Sequence, residues 1–182
     1  RSLSECTLGV IGVGNIGKAV IRRARPFGMK LLGNDIIPIA PDFVVENNVE
    51  MTSLEDLLSR ADFVSLNADL NPTSRHIINA TTLKMMKPGA VLINTARGPL
   101  VDEPALTASL QSGQIAGAAL DVFEVEPLPL DSPLMRLDNV MLAPHNTNSS
   151  PSAWERVHWS TIRNLLESLG LDPAGLTQFQ GA

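Results

Sequence analysis

Residues 8–17 read Leu8-Gly9-Val10-Ile11-Gly12-Val13-Gly14-Asn15-Ile16-Gly17, an aliphatic run that passes directly into three spaced glycines. The glycines have the pattern G-x-G-x-x-G, and a segment with helical periodicity follows them. A strand, a tight turn and a helix in that order form the setting in which this pattern binds a dinucleotide. There Gly12 permits the turn, Gly14 lets a diphosphate approach the backbone, and Gly17 lets helix and strand pack closely. The alternative is that the glycines serve only the turn.

An acidic residue ends the second aliphatic run of the chain. Asp35 lies about 18 residues beyond Gly17, close to the interval of about 20 at which an acidic side chain meets the ribose of a bound dinucleotide. Its carboxylate can accept hydrogen bonds from both ribose hydroxyls, and its charge repels a 2′-phosphate. We therefore expect NAD rather than NADP. The alternative is an ordinary aspartate in the turn before Pro38.

Aliphatic runs recur along the chain, each continuous rather than alternating with polar residues, as is typical of strands covered on both faces. They are Leu8 to Val13, Lys30 to Asn34, Asp62 to Leu66, Ala90 to Asn94, Ala116 to Asp121 and Val140 to Ala143. Segments with helical periodicity lie between them. This alternation predicts a doubly wound, mostly parallel sheet of Rossmann type in three layers, α/β/α.

Helix start signals precede four of the helical segments. Capping boxes are predicted for Thr52 with Glu55 and for Ser152 with Glu155, and Asn79 and Asp102 are predicted as single caps. The first helix, over residues 16–28, is expected to place its apolar side chains on one side. These are Ile16, Val20, Ile21 and Ala24.

The last predicted helix is long and amphipathic, and it divides the chain. Its apolar residues follow spacings of three or four, a pattern that we call the stripe: Trp154, Val157, Thr161, Leu165 and Leu169. We therefore expect an NAD-binding Rossmann-type domain over residues 1–150 and a helix with a tail over residues 151–182. The stripe is expected to cover the domain, a partner or a second lobe.

Composition excludes several classes of protein. The 182 residues are 44% hydrophobic, which is too apolar for a disordered chain, and they suffice for a core without disulfides or metal. A formal net charge of −5 and only 4% aromatic residues argue against a nucleic-acid partner. The single cysteine, Cys6, excludes a disulfide within the chain and a cysteine-rich zinc site. With this cysteine count we expect no metal site. No apolar run has the length of a membrane span, so we expect a cytoplasmic protein.

Three further segments place polar residues directly after predicted strands. They are Asn94-Thr95-Ala96-Arg97-Gly98, Ala119-Leu120-Asp121-Val122-Phe123-Glu124-Val125-Glu126-Pro127 and Ala143-Pro144-His145. Ligands of open α/β sheets bind at the carboxyl ends of the strands, so we expect Arg97, Glu126 and His145 to share a site. Each also has an ordinary structural interpretation, as a carbonyl cap, a loop acid and a turn histidine respectively.

These segments resemble the D-2-hydroxyacid dehydrogenase family, in its phosphoglycerate-dehydrogenase-like branch, from about Ser2 to Leu169. The matching motifs are G-V-G-N-I-G, M-K-P-G-A-V-L-I-N-T-A-R-G, G-A-A-L-D-V-F-E-V-E-P and A-P-H. The resemblance implies the cofactor-binding domain of an NAD-dependent oxidoreductase that acts on the CH–OH group of a 2-hydroxy acid. It implies that Arg97 binds the substrate's carboxylate or carbonyl oxygen, that His145 is the acid/base, and that Glu126 orients His145.

The chemistry of 2-oxo acid reduction suits these residue types. The reaction needs a hydride from the nicotinamide and a proton on the carbonyl oxygen, and histidine exchanges protons near neutral pH. An arginine fork suits a planar carboxylate. The resemblance also implies that Asp121 accepts a hydrogen bond from the nicotinamide carboxamide. The residues expected to bind NAD are Gly12, Gly14, Asn15, Ile16, Gly17, Asp35, Asn67, Thr95, Ala96, Arg97, Asp121 and His145.

Two segments depart from the family pattern. The chain continues from His145 as Asn146-Thr147-Asn148-Ser149, and Thr147 stands where the family has glycine. The segment after the third predicted strand reads Asn67-Ala68-Asp69-Leu70-Asn71, and Asp69 puts a charge beside the cleft where the family has proline. We therefore expect an unusual substrate.

In the family a second lobe, built from sequence on both sides of the nucleotide domain, closes over the substrate. This chain begins almost at the first strand, so we expect a cofactor domain that folds alone and turns over poorly. The resemblance also implies a homodimer of the full-length parent. Two alternatives stay open. One is a non-enzymatic NAD-sensing interaction module like the family's transcriptional corepressors, and the other is a degenerate domain that retains only the fold.

Overall fold

The computed structural model describes residues 2–147 and 149–172. Asn148 and the tail expected beyond Asp172 lie outside the described residues. The chain divides into two compact units, Arg1–His145 and Asn146–Ala182, so the boundary falls slightly before residue 150. The first unit contains the sheet, and the second contains the long C-terminal helix.

The described part of the first unit contains one sheet of seven strands, all parallel. The strands are β1 (Thr7–Ile11), β2 (Lys30–Asn34), β3 (Val49–Met51), β4 (Phe63–Leu66), β5 (Val91–Asn94), β6 (Gly117–Leu120) and β7 (Val140–Leu142). Their order in the sheet is β3-β2-β1-β4-β5-β6-β7. Strand order therefore runs outward in both directions from the neighbouring pair β1 and β4.

Helices connect the strands, as parallel pairing requires. They are α1 (Asn15–Ala24), α2 (Pro41–Asn47), α3 (Leu54–Arg60), α4 (Ala80–Met85) and α5 (Glu103–Gln111) in the first unit and α6 (Pro151–Ser168) in the second. Short 3₁₀ turns occur at Leu3–Glu5, Arg25–Phe27, Gly98–Leu100 and Pro133–Arg136.

The core lies in two clusters, one on each face of the sheet. Val10 of β1 packs in a cluster with Ile21 of α1, whereas its neighbour Ile11 packs in a second cluster with Leu57 of α3. Successive residues of a strand point to opposite faces, so the two clusters place helices on both sides of the sheet. The predicted Rossmann-type fold in three layers is confirmed.

Local details differ from the sequence prediction. Ser53, not Thr52, caps α3, and its side chain accepts a hydrogen bond from the amide of Asp56. Ser150, not Ser152, caps α6, because Pro151 occupies the first helical position. The caps at Asn79 and Asp102 are confirmed. Two short elements were not predicted, β3 and α2, and neither is long enough to show a clear periodicity.

Candidate active site

The expected site residues follow strand ends at one edge of the sheet. Gly12 follows β1, Asp35 follows β2, and Asn67 follows β4. Because all the strands are parallel, their carboxyl ends lie at the same edge. The cleft forms between β1 and β4, where the strand order reverses, as is typical of nucleotide-binding sheets. Thr95, Asp121 and His145 follow β5, β6 and β7 at the same edge.

The three glycines of the turn after β1 have different surroundings. Gly12 has a φ of 87°, and a Cβ added there would lie 2.5 Å from the amide nitrogen of Ala68. A Cβ on Gly17 would lie 2.0 Å from the carbonyl oxygen of Gly12. Gly14 caps α1 and has nothing within 4 Å of the corresponding point. The turn is therefore tightly packed at its ends and open at the helix N-terminus, as a diphosphate requires.

Asp35 lines the cleft together with residues of the loop after β4. Its Oδ2 accepts a hydrogen bond from the amide of Val13 at 2.7 Å, and its Oδ1 accepts one from the amide of Ile37 at 2.9 Å. The carboxylate is thus oriented by backbone donors, and its remaining lone pairs can accept from ribose hydroxyls. The cleft has a volume of about 480 Å³, and Gly12, Gly14, Asn15, Ile16, Asp35 and Asn67 all line it.

Some residues of the cleft were not expected from the sequence. Exposed Ile36 and Ile37 line it beyond Asp35, and Thr73 lines it from the loop after β4. Ile16, expected on the packed side of α1, is 67% exposed and lines the cleft instead. Ile36 and Ile37 lie in a predicted loop and carry no periodic signal, whereas the helical spacing of Ile16 with Val20 wrongly indicated the packed side of α1.

His145 and Glu126 form a hydrogen-bonded pair. Nδ1 of His145 lies 2.8 Å from Oε2 of Glu126, and Oε1 of Glu126 accepts a hydrogen bond from the amide of Phe123 at 3.0 Å. The hydrogen bond from His145 is the main reason that the pKa of Glu126 is lowered below its usual value. The Phe123 amide and the positive charge of Arg97 lower this pKa further. Glu126 is therefore ionised, and its carboxylate holds one ring nitrogen of His145 by a hydrogen bond.

Arg97 lies on the exposed loop after β5. Its Nη1 donates to the carbonyl oxygen of Ala96 at 2.6 Å. Buried Asn94 shapes this loop, because its Nδ2 donates to the carbonyl of Arg97 at 2.9 Å and its Oδ1 accepts from the amide of Ala96 at 3.1 Å. Asn94 was missed as a site residue, although an amide that ends an aliphatic run is a signal that could have indicated it.

An apolar pocket adjoins the His145–Glu126 pair. It has a volume of about 650 Å³, and Phe123, Leu128, Met135 and Leu142 are among its lining residues. The pair forms the polar part of its wall. Thr95, Ala96, Arg97 and Asp121 line neither this pocket nor the cleft, and Asp121 is buried.

Two features are absent from the residues that the structure describes. No helix among residues 2–147 and 149–172 combines the length and the apolar character needed to cross a bilayer. The same residues contain no group of three or more histidine, cysteine, aspartate or glutamate side chains that could hold a metal ion.

Comparison with known proteins identifies the family. Residues 1–147 match the family model described as "D-isomer specific 2-hydroxyacid dehydrogenase, NAD binding domain". The chain belongs to this family. The resemblance inferred from the motifs around Arg97, Glu126 and His145 is therefore confirmed, and NAD is the cofactor of the domain.

Individual members of the D-2-hydroxyacid dehydrogenase family support the match. The chain is 48% identical over 160 residues to a glyoxylate reductase of Korarchaeum cryptofilum, covering 88% of this chain and 48% of that protein. It is 48% identical over 149 residues to a D-3-phosphoglycerate dehydrogenase of Methanocaldococcus jannaschii, covering 81% and 28% respectively. The crystal structure of a D-lactate dehydrogenase from Aquifex aeolicus, complexed with NAD and lactic acid, aligns with a TM-score of 0.84 at 34% identity, covering 93% and 55%. The chain thus spans about half the length of the glyoxylate reductase.

The open turn at Gly14 and the oriented carboxylate of Asp35 fit the dinucleotide of a D-2-hydroxyacid dehydrogenase. One departure from the family pattern, Asp69, lies beside this site. Asp69 lines the cleft, and the carbonyl oxygen of Asp69 accepts a hydrogen bond from the Ser74 hydroxyl at 2.6 Å. Thr147 is among the described residues, whereas Asn148 is not.

Proposed function

We propose that this chain is the NAD-binding and catalytic-residue domain of a dehydrogenase that interconverts small 2-oxo and D-2-hydroxy acids. The observation that carries the proposal is the His145–Glu126 pair, which lies at the same sheet edge as the open Gly14 turn and Asp35. The three relatives described above are named as a reductase and two dehydrogenases, which favours an enzyme over an NAD-sensing binding module.

The residues that hold NAD are those of the cleft and of the loop after β5. The N-terminus of α1, open at Gly14, takes the diphosphate, because unpaired backbone amides and the helix dipole favour an anion. Asp35 takes the ribose hydroxyls. When bound, the nicotinamide supplies or accepts the hydride. Thr95, Ala96 and Asp121 complete the proposed cofactor contacts toward the nicotinamide.

His145 exchanges the proton of the reaction. Its Nδ1 is engaged by Glu126, so Nε2 is the ring nitrogen that delivers a proton to the carbonyl oxygen in reduction and removes it in oxidation. The carboxylate of Glu126 fixes the tautomer and the orientation of the ring. Glu126 therefore acts on the substrate through His145.

Arg97 binds the substrate's carboxylate or carbonyl oxygen. Its guanidinium is exposed and donates through Nη1 to Ala96, so the substrate would compete with that carbonyl or use the other nitrogens of the fork. The two hydrogen bonds from the Asn94 side chain fix the backbone on both sides of the Cα atom of Arg97, at the Ala96 amide and at the Arg97 carbonyl.

The proposal includes the setting of the enzyme. A homodimer working in the cytoplasm is supported by the family resemblance and by the exposed apolar stripe of α6. Small 2-hydroxy and 2-oxo acids are the proposed substrates, with neither nucleic acid nor membrane as a partner.

A panel of small 2-oxo acids tests the function. The whole protein, supplied with NADH, is expected to reduce glyoxylate, hydroxypyruvate or a related 2-oxo acid and to yield the D-isomer where the product is chiral. NAD affinity measured by calorimetry on the same preparation provides the control. Tight NAD binding with no turnover across the panel would contradict the enzyme and favour the binding module.

A further inference from the structure

A second histidine–glutamate pair lies beside the turn that carries Glu126. Nε2 of His76 lies 2.6 Å from Oε1 of Glu124, and both side chains are largely covered, with 36% and 22% of their surface exposed. Glu124 and Glu126 belong to the same turn after β6. A contact that fixes Glu124 therefore also restricts where the Glu126 carboxylate can lie.

Glu124 is also joined to the start of α5. Its Oε2 accepts a hydrogen bond from the amide of Glu103 at 3.3 Å, and Oε1 of Glu103 accepts one in return from the amide of Glu124. Glu103 is the first residue of α5, where backbone amides and the helix dipole favour carboxylates. The pKa of Glu103 is raised by burial and further by the charges of Glu124 and Glu126. The turn after β6 is thus fastened to the helix by a reciprocal pair.

The same turn lies against the loop that carries Arg97. A Cβ added to Gly98 would lie 1.8 Å from the carbonyl oxygen of Phe123 and 2.5 Å from the amide nitrogen of Glu124. Only glycine allows the two backbones to approach so closely. The segments that carry the proposed substrate-binding arginine and the orienting glutamate are therefore in direct contact.

His76 is itself firmly held, and its loop lines the cofactor cleft. Its amide donates to the carbonyl of Pro99 at 2.9 Å, and its carbonyl accepts from Nδ2 of Asn79 at 2.9 Å. Its φ of 49° is in the left-handed region, which few residues other than glycine adopt. Thr73 and Ile77, on either side of His76, both line the cleft. His76 thus lies between the cofactor loop and the turn after β6.

We propose that His76 is a positioning residue: through Glu124 and Glu103 it holds Glu126 against His145 and ties this turn to the loop that lines the cofactor cleft. The inference rests on the proposed function, since it assigns His76 a part in that reaction. His76 touches neither the reacting atoms nor His145 in this arrangement, so its effect is transmitted through the turn.

Hydrogen exchange of the 182-residue chain tests the geometric half of the proposal. His76→Asn keeps a residue that tolerates the left-handed backbone and removes the ring. The amide of Phe123, which donates to Glu126, is expected to exchange about tenfold faster in this variant. His158→Asn on α6 is the matched control and is expected to leave that amide unchanged. Unchanged exchange at Phe123 in His76→Asn would overturn the proposal.

Kinetics of the whole protein test the functional half. His76→Asn is expected to lower kcat about tenfold, to leave the KM for NADH unchanged, and to shift the pH–rate profile in the same direction as Glu126→Gln. Glu124→Gln, a change of similar shape, is the second variant and is expected to give the same signature if His76→Asn folds poorly.

The outcomes separate the two claims. If Glu126→Gln lowers kcat while His76→Asn and Glu124→Gln leave kcat and the pH profile unchanged, the positioning role is wrong and the proposed function stands. If Glu126→Gln also has no effect, the role proposed for Glu126 fails and the positioning role fails with it, whereas only a lack of turnover by the unmodified protein would contradict the proposed function.

Discussion

Gly14 and Gly17 belong to the same turn, but the structure gives each a different reason to be glycine. A Cβ at Gly17 collides with backbone, whereas one at Gly14 points into open space where the diphosphate is proposed to bind. Gly17→Ala is expected to destabilise the chain by about 3 kcal/mol. Gly14→Ala is expected to cost less than about 1 kcal/mol in stability and to weaken NAD binding at least about tenfold.

Urea unfolding and calorimetric NAD titration of both variants provide the measurement. Each variant serves as the control for the other, because each is expected to change one of the two quantities directly. Full NAD affinity in Gly14→Ala would place the diphosphate elsewhere.

Asp35 is expected to set the choice between NAD and NADP. Its carboxylate is fixed by the amides of Val13 and Ile37, so it cannot easily turn away from a 2′-phosphate. The chain is expected to bind NAD at least about tenfold more tightly than NADP, and Asp35→Ser to reduce this preference. Calorimetry with both cofactors decides the point, and equal affinity of the unmodified chain for the two would contradict it.

Ionisation of Glu126 makes the stability of the folded chain depend on pH. Its pKa is below the usual value of 4.5, chiefly because of the hydrogen bond from His145, so His145→Ala is expected to raise it toward that value. A carboxyl whose pKa is lowered by folding adds stability above its unfolded pKa and loses it as the pH falls through the folded pKa. The unmodified chain should therefore keep this contribution to lower pH than the variant does.

Titration of the Glu126 carboxyl by carbon-13 NMR checks the expected shift. His158→Asn is the control, because His158 lies on α6 and pairs with Trp154. An unchanged titration of Glu126 in His145→Ala would show that the pair is not formed in solution.

Single residues were predictable where a motif fixes their spacing. The glycine triplet and Asp35 have a fixed interval in sequence; Gly12, Gly14 and Asp35 line one cleft, whereas Gly17 packs against the carbonyl group of Gly12. His76, Glu124 and Asn94 were missed because their partners are distant in sequence or are backbone groups. Such contacts depend on how loops pack, and no sequence spacing records them.

Among the described elements, α6 contains the largest number of exposed large hydrophobic side chains. Trp154, Val157, Leu165 and Leu169 of the stripe are each at least 50% exposed, and none of the described residues of this helix is buried. Exposed apolar patches of this kind mark interaction sites. The chain is therefore expected to self-associate with rising concentration, as measured by light scattering.

A double variant, Leu165→Glu with Leu169→Glu, is expected to suppress this association. Val45→Glu on α2, where the side chain is 80% exposed outside the stripe, is the matched control and should leave association unchanged. A strict monomer at all concentrations would remove the support that α6 gives to a dimer.

Elements were predictable where hydrophobic patterning was long enough. Six of the strands follow continuous aliphatic runs, but β3 has only three residues and Glu50 at its centre. The short helix α2 starts at Pro41 and ends at Asn47, and the following residue, Asn48, adopts a left-handed conformation. The cap of α6 was placed two residues late, because Ser150 and Ser152 are both acceptable caps and only the position of Pro151 separates them.

At the scale of the whole molecule, the parallel sheet explains why residues far apart in sequence form one site. Each of six strands delivers its following residues to the same edge, so a turn near residue 12 and a histidine at 145 lie at one end of the sheet. The sequence predicted this because β-α alternation forces parallel pairing. The loops that follow the strands pack at this edge through contacts such as His76 with Glu124, and the strand pattern does not encode such contacts.

The most direct test of the proposed function is steady-state kinetics of His145→Ala in the whole protein, with NADH and its best 2-oxo acid. We expect kcat to fall by about a hundredfold or more, because no other group replaces the Nε2 proton. NAD affinity should change little, since the diphosphate and ribose contacts lie at Gly14 and Asp35. An unchanged kcat with an unchanged pH dependence would show that His145 is structural and would contradict the proposed mechanism.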